Sequence, residues 1–340
     1  MSSSTASSQR PPAPFSGGGS KSKMREVFYY FMPRFAFVVI TSYLLVAYID
    51  EILQSVDTFF HGHRSMRQFV APNWSVRQYL SCGKYVTPRD VIMTFSAPAI
   101  VYWVVSLFYV LLDWYVDVHQ QLPLWKHHHV RYTARIDYGL YKRAIHMMMG
   151  INVVNFVTLV FISTPLVRLF RAAAMCDAPD LLPNPLLDIP GFLVRLVLVY
   201  ILTDVVFYTT HRICHEVPFM YRHVHKVHHV FVETYGVCAS ACHPVEQILV
   251  NLNTVITPVV LLGLPYHWMT IWLCITVANT IGSHSGYSWG GKPIVASYTH
   301  DQHHKFQLCE YGINVICDRL FRTRYADMVA RTAARTRREE

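Results

Sequence analysis

Three short stretches concentrate side chains able to bind a metal ion. HRICH places His211 and His215 four residues apart, HKVHH carries His225, His228 and His229, and HDQHH carries His300, His303 and His304. The chain holds 19 histidines in 340 residues. At that frequency, two chance matches to H-x-x-H-H have a probability on the order of 0.002, so composition alone does not explain them. Residues i, i+3 and i+4 of a helix share a face. Each triplet is therefore expected to turn three imidazoles to one side, and His211 and His215 to do the same. His243 and His284 stand singly between the clusters and complete a candidate ligand set of ten.

Neutral imidazole suits zinc, copper, iron and nickel. One ion takes four to six ligands, so ten histidines point to two ions with positions left open for water, dioxygen or substrate. Carboxylates are sparse in the motifs, where only Asp301 and Glu216 lie in or beside them. That differs from carboxylate-bridged helical bundles. Ligating imidazoles usually donate their second N–H to a supporting group. Asp204, two helical turns before His211, is expected to support a ligand, with Tyr208 and Asp301 as further supporting side chains. His127, His128 and His129 are adjacent and point about 100° apart on a helix, so they read as a basic interfacial loop.

Such a cluster needs elements to hold it, and composition says where they lie. Hydrophobic residues make up 52% of the chain and charged residues 15%, with a mean hydropathy of +0.24. A chain this apolar reads as a membrane protein. The net charge of +9 gathers at the two ends and in loops beside apolar runs. That is the pattern of cytoplasmic flanks, and no motif for nucleic acid accompanies it. The eight cysteines show no paired spacing and read as free thiols facing a reducing compartment.

Apolar runs near 31–49, 91–113, 147–170 and 190–210 each have the roughly 20 residues a bilayer crossing requires. Basic residues in 114–146 and acidic ones in 171–189 place the N-terminus and everything after 210 in the cytosol. The apolar block 247–283 has candidate ligands on both sides. It must leave and return on one face, as a helical hairpin dipping into the bilayer or as two crossings. The expected fold is thus an all-α integral membrane protein: about four transmembrane helices plus a helical hairpin, with a cytosolic helical cap carrying a histidine-rich dimetal site. The expected division is a disordered basic segment over 1–25, membrane helices and loops over 26–189, the histidine-rich catalytic domain over 190–325 and a basic tail over 326–340.

The ordered set DVVFYTTHRICH (204–215), YRHVHKVHH (221–229), HPVE (243–246), SHSGY (283–287) and HDQHH (300–304) resembles the fatty acid hydroxylase and sterol desaturase superfamily. YGINVICDRLFRT (311–323) resembles its closing helix. HPVE followed by SHSGY is most similar to the sterol C4-methyl oxidase group. The resemblance implies a multi-pass enzyme of the endoplasmic reticulum membrane with its catalytic domain in the cytosol. It implies two non-heme iron ions, dioxygen as co-substrate, a lipid substrate of the sterol type, and electrons from NAD(P)H through cytochrome b5 or a reductase. Hydroxylation or desaturation of a sphingolipid, a fatty acid or another sterol position is the alternative within the superfamily. A histidine-rich membrane metal transporter is the alternative outside it.

Overall fold

The computed structural model describes residues 20–61, 88–119, 137–163, 189–262, 266–287 and 295–339, and among these it is helical with no strand. Helix α1 is Ser20–His61, α2 Pro88–His119, α3 Tyr138–Thr158 and α4 Ile189–Glu216. The short α5, Pro218–His223, leads into a 3-10 turn at His225–Val227. One helical run then opens as α6, Pro244–Glu246, widens to a π-helical segment at Gln247–Leu252 and continues as α7, Asn253–Leu261. Helix α8 is Tyr266–His284, α9 Val295–Phe306, α10 Ile316–Leu320 and α11 Tyr325–Glu339.

Among the described residues, five segments are long and apolar enough to cross a membrane: Met24–Leu44, Val91–Val118, Tyr138–Ile162, Leu193–Glu216 and Pro244–Leu261. The first four correspond to the runs expected from hydropathy, with shifted ends. Helix α1 starts at Ser20, inside the segment expected to be disordered, and runs to His61. An apolar window ends where side chains turn polar, whereas Lys, Arg and Glu are good helix formers and extend the helix beyond it. Helix α3 starts at Tyr138 rather than near 147. Asp137 caps it, accepting from Gly139 N at 2.8 Å and Leu140 N at 3.0 Å. The basic tail is helix α11. Residues 1–19 and the cluster at His127–His129 lie outside the described residues.

Helices α1 and α2 run antiparallel, with Phe31 against Trp103 and Phe28 against Trp114, each pair at 5.1 Å between ring centroids. Their outer faces stay apolar and uncovered: Phe37 and Ile40 on α1 are 59% and 55% exposed, and Phe161 beyond α3 is 70% exposed. Such surface is costly in water and suits acyl chains. One buried acid ties three elements together. Asp113 on α2 accepts from Tyr141 Oη on α3 at 3.1 Å and from Tyr287 Oη, just past α8, at 2.7 Å. A carboxylate inside a span is tolerable when donors surround it.

The block 247–283 departs and returns as expected. His228 precedes it and His284 follows it, yet their Nε2 atoms lie 3.3 Å apart. Its two arms, the α6–α7 run and α8, share one core of Val91, Val199, Leu252, Val255, Val259, Met269 and Leu273. The six cysteines among the described residues are all free.

Candidate metal centre

Nine of the ten candidate imidazoles converge into two groups. His211, His215, His225, His229 and His303 form one, and His228, His284, His300 and His304 form the other. Within each group the candidate ligand atoms all lie within 4.8 Å of one another.

The allocation follows helical geometry in a way the expected one-sided triplets did not. In HKVHH, His225 and His229 enter the first group and His228 the second. In HDQHH, His300 and His304 enter the second and His303 the first. Residues i and i+4 of a helix stack closely, while i+3 lies to the other side of the stripe. Each motif therefore straddles both groups, and the two motifs do so in opposite senses. The HKVHH stretch departs further from expectation, because it is a 3-10 turn rather than an α-helix. HRICH remains inside α4 and sends both its rings to the first group.

Backbone carbonyls fix the tautomers. His211 Nδ1 donates to Tyr311 O, His303 Nδ1 to Cys309 O and His284 Nδ1 to Thr280 O, each at 2.8 Å, and His228 Nδ1 lies 3.4 Å from Ala241 O. A ring that donates from Nδ1 in its neutral form carries no proton on Nε2. The facing Nε2 atoms of His284 and His228 thus meet as two lone pairs with no hydrogen between them. Nε2–Nε2 contacts also join His211 to His225 at 3.1 Å, His303 to His229 at 3.1 Å and His300 to His284 at 2.8 Å, with the first ring of the first two pairs and the second of the third held by its carbonyl. Converging lone pairs repel unless a cation lies among them. Nitrogens about 2.1 Å from a shared ion and at right angles to each other stand about 3.0 Å apart, which is the spacing seen here.

The electrostatics agree. Burial, reinforced by neighbouring imidazoles, holds His225, His229, His300, His303 and His304 well below the usual histidine range, and burial pushes His228 down to about 4. The rings are neutral at physiological pH, which is the ligating form.

His243 is the exception. It caps α6, where its Nδ1 accepts from Val245 N at 3.2 Å, and it belongs to neither group. Pro244 at the first helical position fixes this, because the residue before proline is held extended and outside the helix. The inward-facing residue of HPVE is Glu246, 3% exposed, with Oε1 3.0 Å from His225 Nδ1 and off the ideal hydrogen-bond line. In the sequence HPVE draws attention to its histidine, and nothing in the motif marks Glu246 as the residue that faces the rings.

The expected supporting residues act less directly than foreseen. Asp204 touches no imidazole. Its carboxylate accepts from Asn314 N at 2.6 Å and Cys317 N at 2.8 Å, clamping the segment that carries Tyr311 O to His211. Val315 within that clamp has φ 62°. A β-branched residue in that region is strained, so the surrounding bonds must over-determine it. Asp318, unnoticed in the sequence, accepts from Tyr311 N at 2.9 Å and Gly312 N at 2.7 Å. Tyr208 Oη lies 3.3 Å from Thr323 Oγ1 and accepts from Arg212 at 2.7 Å, and Asp301 accepts from Thr234 Oγ1 at 2.8 Å. These side chains brace the backbone around the rings.

A cavity adjoins both groups. His211 and His225 of the first line it, as do His228, His284 and His300 of the second. Along α8 its lining runs from His284 back to Leu273, about 16 Å at the rise of an α-helix. A long apolar molecule therefore has a path from between the membrane helices to the imidazoles.

Comparison with known proteins agrees with this geometry. Residues 196–323 match the family model described as fatty acid hydroxylase. Two Dictyostelium discoideum proteins named "Putative methylsterol monooxygenase" are similar. The first is 33% identical over 151 residues, covering 41% of this chain and 54% of the relative. The second is 29% identical over 178 residues, covering 49% and 63%. A very-long-chain aldehyde decarbonylase of Oryza sativa subsp. indica is 32% identical over 119 residues, covering 33% and 44%. The chain thus spans about half the length of these curated relatives. No solved structure matches it.

Proposed function

We propose, for a chain whose residues 196–323 carry a fatty acid hydroxylase family domain, that the two imidazole groups hold two non-heme iron ions and that the protein oxidises a C–H bond of a membrane lipid. The observation that carries the reading is the pair of enclosed groups of converging imidazole nitrogens that adjoin one cavity between membrane helices. The substrate proposed is a sterol, oxidised at a C4 methyl group. The methylsterol relatives support that choice, as do the HPVE and SHSGY segments.

Nine residues would hold the ions: His211, His215, His225, His229 and His303 one, and His228, His284, His300 and His304 the other. Iron bound there supplies dioxygen activation and electron transfer, chemistry that amino-acid side chains lack. The protein's own residues do the rest. The carbonyls of Tyr311, Cys309 and Thr280 aim the rings and keep Nε2 free of protons. Glu246 stands behind His225. The cavity walls orient the lipid and exclude water from the reacting carbon. Electrons come from a separate partner, a cytochrome b5 or an NAD(P)H reductase, and the protein resides in the endoplasmic reticulum with the centre on the cytosolic side.

A metal transporter would carry its ligands near mid-bilayer on broken helices. Here His211 and His215 lie in the last turns of α4, and the remaining rings come from segments beyond span ends. The test is lipid profiling of cells lacking the protein, with add-back of wild type, His228→Ala and His303→Ala. Accumulation of 4-methyl sterols, relieved only by wild type, is the expected result. Unchanged sterols with altered sphingoid bases would overturn the sterol assignment. Full relief by either variant would overturn the role of the centre.

A further inference from the structure

The cavity wall beyond the imidazoles is not uniformly apolar. Gln247 Nε2 on the π-helical segment donates to Asn155 Oδ1 on α3 at 2.8 Å, and Asn251 Nδ2 donates to Gln247 Oε1 at 2.8 Å. This amide chain crosses between two elements that both contain π turns, at Leu159–Ser163 and Gln247–Leu252. Such turns recur at functional sites. All three amides line the cavity, and so do Asn152 and Thr254. Asn152 lies on the same face of α3 as Asn155, three residues before it. Asn152 is 8% exposed and Thr254 2% exposed. Neither Asn152 Nδ2 nor Thr254 Oγ1 has a hydrogen-bond partner in the protein.

A buried polar atom left unpaired is destabilising by about 1–3 kcal/mol, so two of them on one cavity wall call for an explanation. The charge of the wall narrows the answer. Among the described residues lining the cavity there is no Lys or Arg, and the one acid is Glu246 beside the imidazoles. Beside Asn152 and Thr254 a carboxylate or phosphate headgroup would meet no cationic side chain, and a pure hydrocarbon would leave both atoms unpaired. A neutral lipid with a hydroxyl or carbonyl oxygen satisfies both conditions.

We propose that Asn152 is a specificity-determining residue, donating from Nδ2 to a neutral hydroxyl or carbonyl oxygen of the lipid substrate. Thr254 is a second polar contact on the same cavity, and a free carboxylate is excluded from this stretch of wall, which carries no Lys or Arg. Thr254 lies eight residues beyond Glu246 on one helical run. The inference rests on the proposed lipid oxidation. It narrows the substrate class to oxygenated neutral lipids, independently of whether that lipid is a sterol.

The test is equilibrium binding to the purified full chain in nanodiscs. One probe pair is 4α-methylcholestan-3β-ol and its 3-deoxy analogue. A second set is octadecan-1-ol, octadecane and stearate. Wild type is expected to favour the hydroxylated member of at least one pair by about tenfold, the factor of one buried hydrogen bond, and to bind stearate more weakly than octadecan-1-ol. Asn152→Leu should reduce that ratio at least threefold without weakening the deoxy or alkane probe, which also shows that the variant is folded. Asn152→Asp, close in shape, should reduce it as well, and Thr254→Val should lower it to a smaller degree. A ratio unchanged in all three variants overturns the proposal, as does stearate binding equal to that of octadecan-1-ol. An Asn152-dependent ratio confined to the octadecyl set sinks the sterol reading and keeps this one. Sterol turnover with insensitive ratios does the reverse.

Discussion

Glu246 Oε1 lies 3.0 Å from His225 Nδ1, with both side chains sealed from solvent at 3% and 1% exposure. The acid opens the helical run into the cavity wall, and the histidine sits in the turn that feeds both imidazole groups. The pair therefore couples the hairpin arm to the proposed centre. Supporting groups of this kind raise ligand basicity and fix ring orientation.

Glu246→Gln keeps the shape and replaces the carboxyl group behind His225 by an amide. Metal affinity at the five-imidazole group should fall by about 10–100-fold. Competition titration against a chelator, read by elemental analysis, measures it. An unchanged affinity would show that the carboxylate is only a buried spacer.

The split of the motifs makes a prediction about stoichiometry. His303→Ala should deplete the ion of the first group and His284→Ala that of the second. Each variant then retains about one metal per chain where wild type holds two. His243→Ala should retain both ions and lose only a helix cap, about 1 kcal/mol of stability. Equal depletion by His243→Ala and His303→Ala would contradict the geometry.

The Asp204 clamp predicts a remote effect. Asp204→Asn weakens two bonds to backbone N–H groups and should lower stability by about 1–3 kcal/mol. Gly312→Ala should act in the same direction, because a Cβ there would lie 2.9 Å from Asp204 Oδ1 and 2.8 Å from Asp318 Oδ2. Both variants should bind metal more weakly than wild type through the displaced Tyr311 carbonyl. Thermal unfolding with and without added iron separates the two effects.

Glu310 gives a pH dependence. Burial lifts its carboxyl from 4.5 to about 7. The folded state then holds a proton that the unfolded chain has lost, so this group's contribution to stability falls as pH rises between these two values. Glu310→Gln removes the titration. The variant should gain in Tm relative to wild type as pH goes from 5 to 8, in a series of about four buffers. A difference that does not vary with pH would refute the assignment.

Removing metal should itself destabilise the fold. Nine imidazoles, seven of them buried, face one another in the stripped protein, and a ligand that binds only the folded state stabilises it by an amount that grows with the logarithm of its free concentration. Chelation should lower Tm, and iron should restore it. A chelated protein with unchanged Tm would indicate that the rings relax without an ion.

The sequence determined more of this protein than its length would suggest. Histidine spacing is a local property, and a local property survives any packing of the helices. His211 with His215, and the two H-x-x-H-H motifs, were therefore legible as a ligand set before any fold was known. The apolar runs were legible for the same reason, since bilayer thickness fixes how many consecutive residues must be apolar. Their ends were not, because capping by Asp137 and polar helical turns at Ser20 leave no mark in hydropathy.

The tertiary structure decided what depends on approach. Whether His228 joins His284 or His225 is set by how α9 docks against the 3-10 turn after α5, and no spacing rule encodes that. His243 and Glu246 show the boundary between the two kinds of information. The proline between them announces a helix start, so the outward turn of His243 could have been read from the sequence. That Glu246 would then meet His225 could not, because 21 residues and a turn of the chain separate them. Asp204 was conspicuous as an acid inside a span, but its partners are backbone atoms more than 100 residues away. Chain entropy opposes such contacts, and only the packed helices hold them in place.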